Sequence, residues 1–406
     1  MRYTPTRRLI LAAAATLLAA VCAASPAGTA AQEKTRRKDF GSSLGRLRWD
    51  PSKQAAVEAG GGAAGAEAGG AEDEEVVRVE ASLVVCDVLV ADAKGRAVRG
   101  LTRDDFVVTE EGSALPVSTF APGDEPGRPR FIVLVIDYSG SQRPYLEKSI
   151  EAAKTLVGQL GPADRMAVVT DDVALLADFT QDRKALRRAL DSLADYAESG
   201  APPGRSRQYS ALLAAANELL KGKERPIVIF QTDGDELAAL RQKQGAQAPD
   251  AAGRFREFSL VDVITAVERA HATVYSVIPS IRLVGLPPAA QVEGAKATMA
   301  NVMRRESATS VPAEFFNRYV ESLLKQQTAL EGLSKLTGGW AEFLEKPEQA
   351  GPIYARILSD INRRYVIGFR PPETARDGKR HRVSIEVRGH PEYTVWGRKS
   401  YYAPGA

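Results

Sequence analysis

Disulfides are the first thing this sequence cannot supply. It contains two cysteines, Cys22 and Cys86, and Cys22 lies in an N-terminal segment with the character of a cleaved export signal. The mature chain therefore keeps one thiol and no internal bridge, so its stability must come from burial, with bound metal as the remaining reinforcement. Histidine is equally scarce: His271, His381 and His390 are scattered, with no spacing that suggests zinc. Neither sign of charge dominates, with 54 Lys and Arg against 51 Asp and Glu. No basic segment in the folded part points to nucleic acid. Past the N-terminus no apolar stretch approaches membrane-spanning length, which argues against a stable span once the signal is removed.

What is present begins with that signal. Arg2, Arg7 and Arg8 precede the apolar run Leu9 to Ala24, and the small residues Thr29-Ala30-Ala31 follow. Basic region, apolar core and small-residue cleavage site make residues 1–31 a secretory signal. A membrane anchor is the bland alternative, but the run is short and Ala-rich. Val21 is a poor residue before a lipoprotein cysteine, and Arg7-Arg8 hints at twin-Arg export. The expected destinations are the periplasm, the cell surface or the medium. Residues 32–75 are rich in Ala, Gly, Glu and Lys. Such a stretch buries too little surface to offset its ordering entropy and is expected to be a disordered linker. Gly60-Gly61-Gly62 is linker material, since no strand or helix flanks it as a phosphate loop requires.

From Val76 the texture is β. Val77 to Ala91 and Phe106 to Thr109 read as strands, divided by the turn Lys94-Gly95. Cys86 shares a strand face with Val84, Val88 and Val90, which predicts a buried, inert thiol. At Arg130 the pattern changes. Phe131 to Ile136 is continuously apolar, as a strand covered by helices on both faces must be. Leu146, Ile150, Ala153, Val157 and Leu160 recur at helical spacing up to Gly161-Pro162. Met166 to Thr170, Ile227 to Phe230 and Thr273 to Ile278 read as further strands. Between them lie a helix capped by Thr180 and carrying Leu186, Leu190 and Leu193, a helix from Tyr209 to Leu220, and another from Val261 to Ala270. Phe316, Val320, Leu323, Leu330 and Leu333 mark a last helix before Gly338-Gly339. This alternation specifies an α/β, doubly wound, mostly parallel sheet. The stretch Arg282 to Pro312 is long for a loop and is either a functional cap or disordered.

Beyond Arg364 the chain returns to β, with Tyr365 to Phe369, the alternating Val383, Ile385 and Val387, and Tyr393 to Tyr402. Neither β region is large enough to close a core alone. The economical architecture is one β-sandwich, contributed by residues 76–128 and 364–406, into which an α/β domain of residues 129–363 is inserted. Two separate β appendages are the alternative.

The chemistry concentrates at two strand ends. The first buried strand runs into Asp137-Tyr138-Ser139-Gly140-Ser141, and the strand Ile227 to Thr232 ends in Asp233-Gly234-Asp235. Open α/β sheets bind ligands at the carboxyl ends of their strands. One aspartate and two hydroxyls on a tight turn, joined by a second strand-end carboxylate, are hard oxygen donors suited to Mg²⁺. The bland alternative is that Asp137 caps the next helix and Asp233 opens a turn. Asp171 and Asp172 also follow a strand end, where a polar turn is the simpler reading. Trp340, Trp396 and Tyr401-Tyr402 fit packing better than a ligand platform.

The Asp-x-Ser-x-Ser pattern after a buried strand, with a later strand-end Asp, resembles the metal-ion-dependent adhesion site of von Willebrand factor type A domains. The order of helices and strands from Pro129 to about Leu344 is similar as well. The flanks resemble a bacterial family with a related type A domain, common in acidobacteria, in Gly100-Leu101-Thr102-Arg103-Asp104-Asp105-Phe106, Phe179-Thr180-Gln181-Asp182 and Trp396-Gly397-Arg398-Lys399-Ser400-Tyr401-Tyr402. The resemblance implies that Asp137, Ser139, Ser141 and Asp233 are metal ligands. Its fifth position, a Thr in a Gly-rich loop, falls on Gly204-Arg205-Ser206-Arg207-Gln208-Tyr209, with Ser206 nearest and Ser210 second. Here the glycines are partly lost and two arginines crowd the loop, a departure that bears directly on metal affinity.

The resemblance implies a non-enzymatic, adhesion-type binding module. Mg²⁺, or alternatively Mn²⁺ or Ca²⁺, would keep a coordination position for an Asp or Glu of a protein partner. An envelope structural or assembly protein with a decayed site is the first alternative. A Mg²⁺-dependent hydrolase is the second, and only Asp235 or Glu236 offers it a base.

Overall fold

The computed structural model describes residues 40–50, 55–58, 83–122, 128–198, 206–234, 258–303, 313–372 and 377–403. The export signal, most of the expected linker, and Asp235 and Glu236 lie outside them. Part of the stretch expected to be linker is nonetheless ordered. A 3₁₀ turn, Ser42–Arg46, leads into the hairpin of β1 (Leu47–Asp50) and β2 (Ala55–Glu58). Phe40 and Leu47, two large apolar residues in a polar stretch, drop into the core of the α/β domain. The backbone amides of Gly41 and Ser43 donate to the Glu218 carboxylate at 3.1 and 2.9 Å. Composition averaged these anchors away.

Four strands follow: β3 (Val84–Ala91), β4 (Phe106–Glu110), β5 (Ser113–Leu115) and β6 (Val117–Ala121). The α/β portion then runs β7 (Phe131–Ile136), α1 (Arg143–Gln159), β8 (Arg165–Thr170), β9 (Ala174–Thr180) and α2 (Arg183–Glu198). It continues with α3 (Gln208–Ala214, extended by a wider π-type turn Ala215–Leu220), β10 (Pro226–Gln231), α4 (Leu260–Arg269) and β11 (Thr273–Ile278). Last come α5 (Pro288–Met303), α6 (Ala313–Leu336), β12 (Ala341–Phe343) and α7 (Ala350–Ile361). The sheet order is β12-β11-β10-β7-β8-β9, parallel except for the antiparallel edge strand β9. This is an α/β fold. Apolar clusters fill both faces of the sheet, the side chains of β7 alternating between them: Val133 and Val135 on one, Ile132, Leu134 and Ile136 on the other. Helix α2 is capped by Asp182, whose Oδ1 accepts the amides of Lys184 and Ala185. Thr180, the cap expected from sequence, instead accepts the Asp182 amide just ahead of the helix.

The chain closes with β13 (Tyr365–Phe369), β14 (Arg380–Val387), β15 (Thr394–Trp396) and β16 (Ser400–Tyr402). These strands interleave with the early ones in two four-stranded sheets, β15-β3-β13-β6 and β16-β14-β4-β5. Strand β13 sits between β3 and β6, and β14 pairs with β4, all antiparallel. Val84, Cys86, Val88, Ile367, Val383, Ile385 and Tyr401 share one apolar cluster across both sheets. Cys86 is fully buried, and burial pushes its thiol up to about 11, so it is protonated and inert near neutrality.

Polar contacts tie these sheets to the α/β portion. Arg225 pairs with Asp87, Arg364 reaches the Asp87 carbonyl, and Arg398 donates to His271 Nδ1 and to the His271 carbonyl. Glu268 accepts from Arg380 and from the Ser400 hydroxyl. Arg225, His271 and Gly338-Gly339 precede β10, β11 and β12. Among the described residues, the β sheets therefore adjoin the amino ends of the central strands. Gly338 and Gly339 permit this joint: a Cβ on Gly339 would lie 1.9 Å from the Val274 carbonyl oxygen, and one on Gly338 2.6 Å from the Gly397 backbone. Among the described residues, no helix is long and apolar enough to cross a membrane.

Candidate metal centre

The carboxyl ends of β7, β8 and β10 converge on one cluster. Strand β7 delivers Asp137, fully buried, at the point where its apolar run ends. Its Oδ1 accepts the Ser139 amide at 2.9 Å, which turns the chain sharply. Its Oδ2 accepts Gln208 Nε2 at 3.0 Å and the Thr232 hydroxyl at 2.9 Å. Asp137 is thus fixed from α3 and from the end of β10 at once, more than helix capping requires.

The motif serines lie beyond this turn. The Ser139 and Ser141 hydroxyls are 3.2 Å apart, and Ser141 donates to Asp233 Oδ2 at 2.7 Å. Gln142, fully buried in the 3₁₀ turn Gly140–Gln142, donates from Nε2 to the same Oδ2 at 2.7 Å and to Ser141 Oγ at 3.1 Å. Asp233 stands where β10 ends, and the next amide, that of Gly234, is held by the Thr232 hydroxyl. Asp137, Ser139, Ser141 and Asp233 are therefore brought together.

Ser206 stands just before α3, and its hydroxyl is buried without a hydrogen-bond partner, while the adjacent Arg207 amide donates to the Asp171 carbonyl at 3.0 Å. Ser210 is buried within α3. Asp171 and Asp172 form a polar turn, as their position suggested, and they also line this face. The Tyr138 amide donates to Asp171 Oδ1, and the Tyr138 phenol to Asp172 Oδ2 at 2.9 Å. Burial first, then the Asp137 charge, hold the Asp171 carboxyl well above the usual carboxylate range, with Asp172 adding to the rise. The Tyr138 amide pulls it back. Carboxyl groups are thus crowded here, and a bound cation would favour their ionised forms. Val173, next in the turn, is a β-branched residue at φ 66°, a strained conformation. Its side chain packs under Gly41 of the N-terminal turn.

Ligand spacing tests the donor set. In an Mg²⁺ octahedron with bonds of about 2.05 Å, adjacent oxygens lie about 2.9 Å apart. The observed edges, 3.2 Å between the serines and 2.7 Å from Ser141 to Asp233, bracket that value. Ser139, Ser141 and Asp233 could hold such an ion directly, with Asp137 fixing the turn through the Ser139 amide. Among the described residues no three His, Cys, Asp or Glu side chains form a metal cage, so any ion here would rest largely on neutral hydroxyls.

A family model described as the von Willebrand factor type A domain matches residues 132–236, the span from β7 to just past Asp233. This chain carries a von Willebrand factor type A domain. No curated protein matches the sequence. Among solved structures, the chain is similar to a von Willebrand factor type A protein from Catenulispora acidiphila, at 14% identity and TM-score 0.35, covering 80% of this chain and 73% of that one. It is similar to an aerotolerance-related membrane protein from Bacteroides fragilis, at 13% identity and TM-score 0.33, covering 57% and 98%. The von Willebrand domain of the type V pili tip protein Mfa5 from Porphyromonas gingivalis gives 13% identity and TM-score 0.34, covering 58% and 95%.

Within the type A domain, three site residues had escaped the sequence reading. Thr232 and Gln142 each adjoin a motif residue and could have been suspected from that position. Gln208 arrives from another element with no local signal. The stretch Arg282 to Pro312 includes helix α5, which packs beside the Gly140–Gln142 turn and on α6 through Leu283, Ala295, Val320 and Leu323. Gln327 of α6 fixes the approach to it, accepting the Leu283 amide and donating to the Ser280 hydroxyl and the Ile281 carbonyl. The aromatics are structural: Trp340 Nε1 donates to Asp360 at 2.6 Å, and the Tyr401 phenol to Glu110 at 2.7 Å.

Proposed function

We propose that this protein is an exported, non-enzymatic binding module whose type A domain grips an acidic residue of a partner protein through Mg²⁺. The observation that carries the reading is the convergence of Asp233 with the Ser139 and Ser141 hydroxyls at octahedral spacing, at the carboxyl ends of the central strands β7 and β10. When bound there, Mg²⁺ supplies a hard Lewis-acidic centre for a carboxylate; Mn²⁺ and Ca²⁺ are alternative occupants. Ser139 and Ser141 contribute oxygen without charge, so the ion's charge stays largely uncompensated. Asp137 orients the turn through the Ser139 amide, and a cation bound here would favour the ionised form of the neighbouring Asp171 carboxyl. We assign residues 129–363 to this domain and the two flanking sheets, 76–128 and 364–406, to one β-sandwich that serves as its base. The signal at residues 1–31 would place it in the periplasm, on the cell surface or outside the cell.

Selection of a displayed random-peptide library on the mature protein in Mg²⁺ tests this. Enriched peptides should share an Asp or Glu, lose binding in EDTA, and lose it when that residue becomes its amide. Enrichment without an acidic residue, or binding that survives EDTA, would contradict the reading. The partly lost glycines and the two arginines around Ser206 favour one alternative, an envelope assembly protein whose metal site has decayed. That alternative predicts no response to Mg²⁺ at all.

A further inference from the structure

The loop that joins β8 to β9 carries an ill-suited residue at its tightest point. Thr170 pairs with Ala174 across the hairpin, and the Val173 amide donates to the Thr170 carbonyl at 3.1 Å. Asp171, Asp172 and Val173 therefore form a three-residue loop. In such loops the last residue is left-handed and is usually glycine. Here it is a valine at φ 66°, a geometry that β-branched side chains resist. Strain of this kind persists only where surrounding contacts hold it in place.

Those contacts come from the N-terminal turn. Val173 packs against Gly41, close enough that a Cβ there would lie 2.9 Å from Val173 Cγ1. Phe40 and Leu47 seal the two ends of the turn into the core, and Leu44 packs on the same cluster. The Glu218 carboxylate accepts the Gly41 and Ser43 amides. On its other side the loop grips the metal motif. Asp171 Oδ1 accepts the Tyr138 amide at 3.2 Å, and Asp172 Oδ2 accepts the Tyr138 phenol at 2.9 Å. The residue between Asp137 and Ser139 is thus held at both ends. A glycine at 173 would meet the backbone demand with no clamp, but it would have no side chain to touch the turn. Valine makes the loop depend on it.

We propose that residues 40–47 are a regulatory strap that controls the metal site through Val173. Docked, the strap holds the loop left-handed and Tyr138 in place. When it leaves, Val173 relaxes to negative φ, Asp171 and Asp172 turn away from Tyr138, and the Ser139 and Ser141 hydroxyls lose their spacing. The site then keeps its ion only while the strap is seated, so pulling on the chain just upstream, or cutting inside the strap, releases ion and partner together. The inference rests on the metal-binding reading and adds a control to it.

The free-ion electron paramagnetic resonance signal of Mn²⁺ gives its dissociation constant for the mature protein, and trypsin cleavage at Arg46 or Arg48 reports undocking. Phe40→Asp puts a charge into an apolar pocket, and Glu218→Ala leaves two amides without their acceptor, so the two variants free the strap by independent routes. Each should be cut faster than the wild type and bind Mn²⁺ about tenfold more weakly, within the usual range for coupled sites. Adding Val173→Gly should restore the affinity while the strap stays open to trypsin, because glycine holds a positive φ unaided. A freed strap with unchanged Mn²⁺ affinity, or a lost affinity that Val173→Gly does not restore, would overturn the coupling and leave the metal site standing. A strap that stays protected in both variants would overturn it as well. Absence of Mn²⁺ binding in the wild type would overturn the metal-binding reading and this inference with it.

Discussion

The Arg225 guanidinium donates its Nε–H to the Asp87 carboxylate across 2.8 Å, with both side chains buried where the central sheet meets β3. The two residues are 138 positions apart, Asp87 within β3 and Arg225 just before β10, so the pair forms only when both parts of the chain are folded together. Breaking one partner strands a buried charge, which costs about 3–5 kcal/mol. Asp87→Ala should therefore lower unfolding stability by that order in urea titrations. Asp87→Leu combined with Arg225→Met should lose much less than the sum of its single variants, because no charge is left unpaired.

The docked N-terminal turn is open to a separate test. Gly41 sits at φ 88°, and a Cβ there would lie 2.9 Å from Val173 Cγ1. Gly41→Ala should destabilise by about 1–3 kcal/mol, the range for a residue forced into a sparsely populated backbone region. Trypsin should then cut at Arg46 or Arg48 faster than in the wild type. Unchanged cleavage rates would mean that the turn does not hold this segment down.

Acid should loosen the joint between the sheets. Burial first, and then the Arg398 charge, lower His271 from 6.5 to about 3. The unfolded chain takes up this proton near pH 6.5 and the folded chain only near pH 3, so folding is fully favoured by this group above about 6.5 and progressively less as the pH falls toward 3. The melting temperature should drop across that window. His271→Asn, which tolerates the observed φ of 56°, should flatten the drop; equal slopes in both proteins would sink the assignment.

Much of the α/β portion was legible because fully buried strands leave continuous apolar runs. Strands β7, β11 and β13 occupy the spans Phe131–Ile136, Thr273–Ile278 and Tyr365–Phe369 that those runs delimit. Strand β9 escaped notice because an antiparallel edge strand needs no such run, and half of Ala174–Thr180 is partly exposed. The β1–β2 hairpin was hidden by its composition, since Phe40 and Leu47 were too few to shift the average. At the site, Asp137, Ser139, Ser141 and Asp233 were readable as strand-end oxygens. The amides that hold them were not, because a glutamine announces nothing until its partner is known. Ser206 was placed by loop position, and the burial of its hydroxyl without a partner depends on the path into α3.

Magnesium titration of the mature protein's melting temperature tests the central claim most directly. An ion that binds only the folded state stabilises it by mass action, about 2.7 kcal/mol at a hundredfold excess over Kd. The wild type should melt progressively higher as Mg²⁺ rises through the millimolar range and return to baseline with EDTA. Asp137→Ala and Ser141→Ala should each fold, melt cooperatively and show no such rise. A wild-type curve indifferent to Mg²⁺, or a rise of equal size in both variants, would contradict the assignment of this cluster as a metal centre.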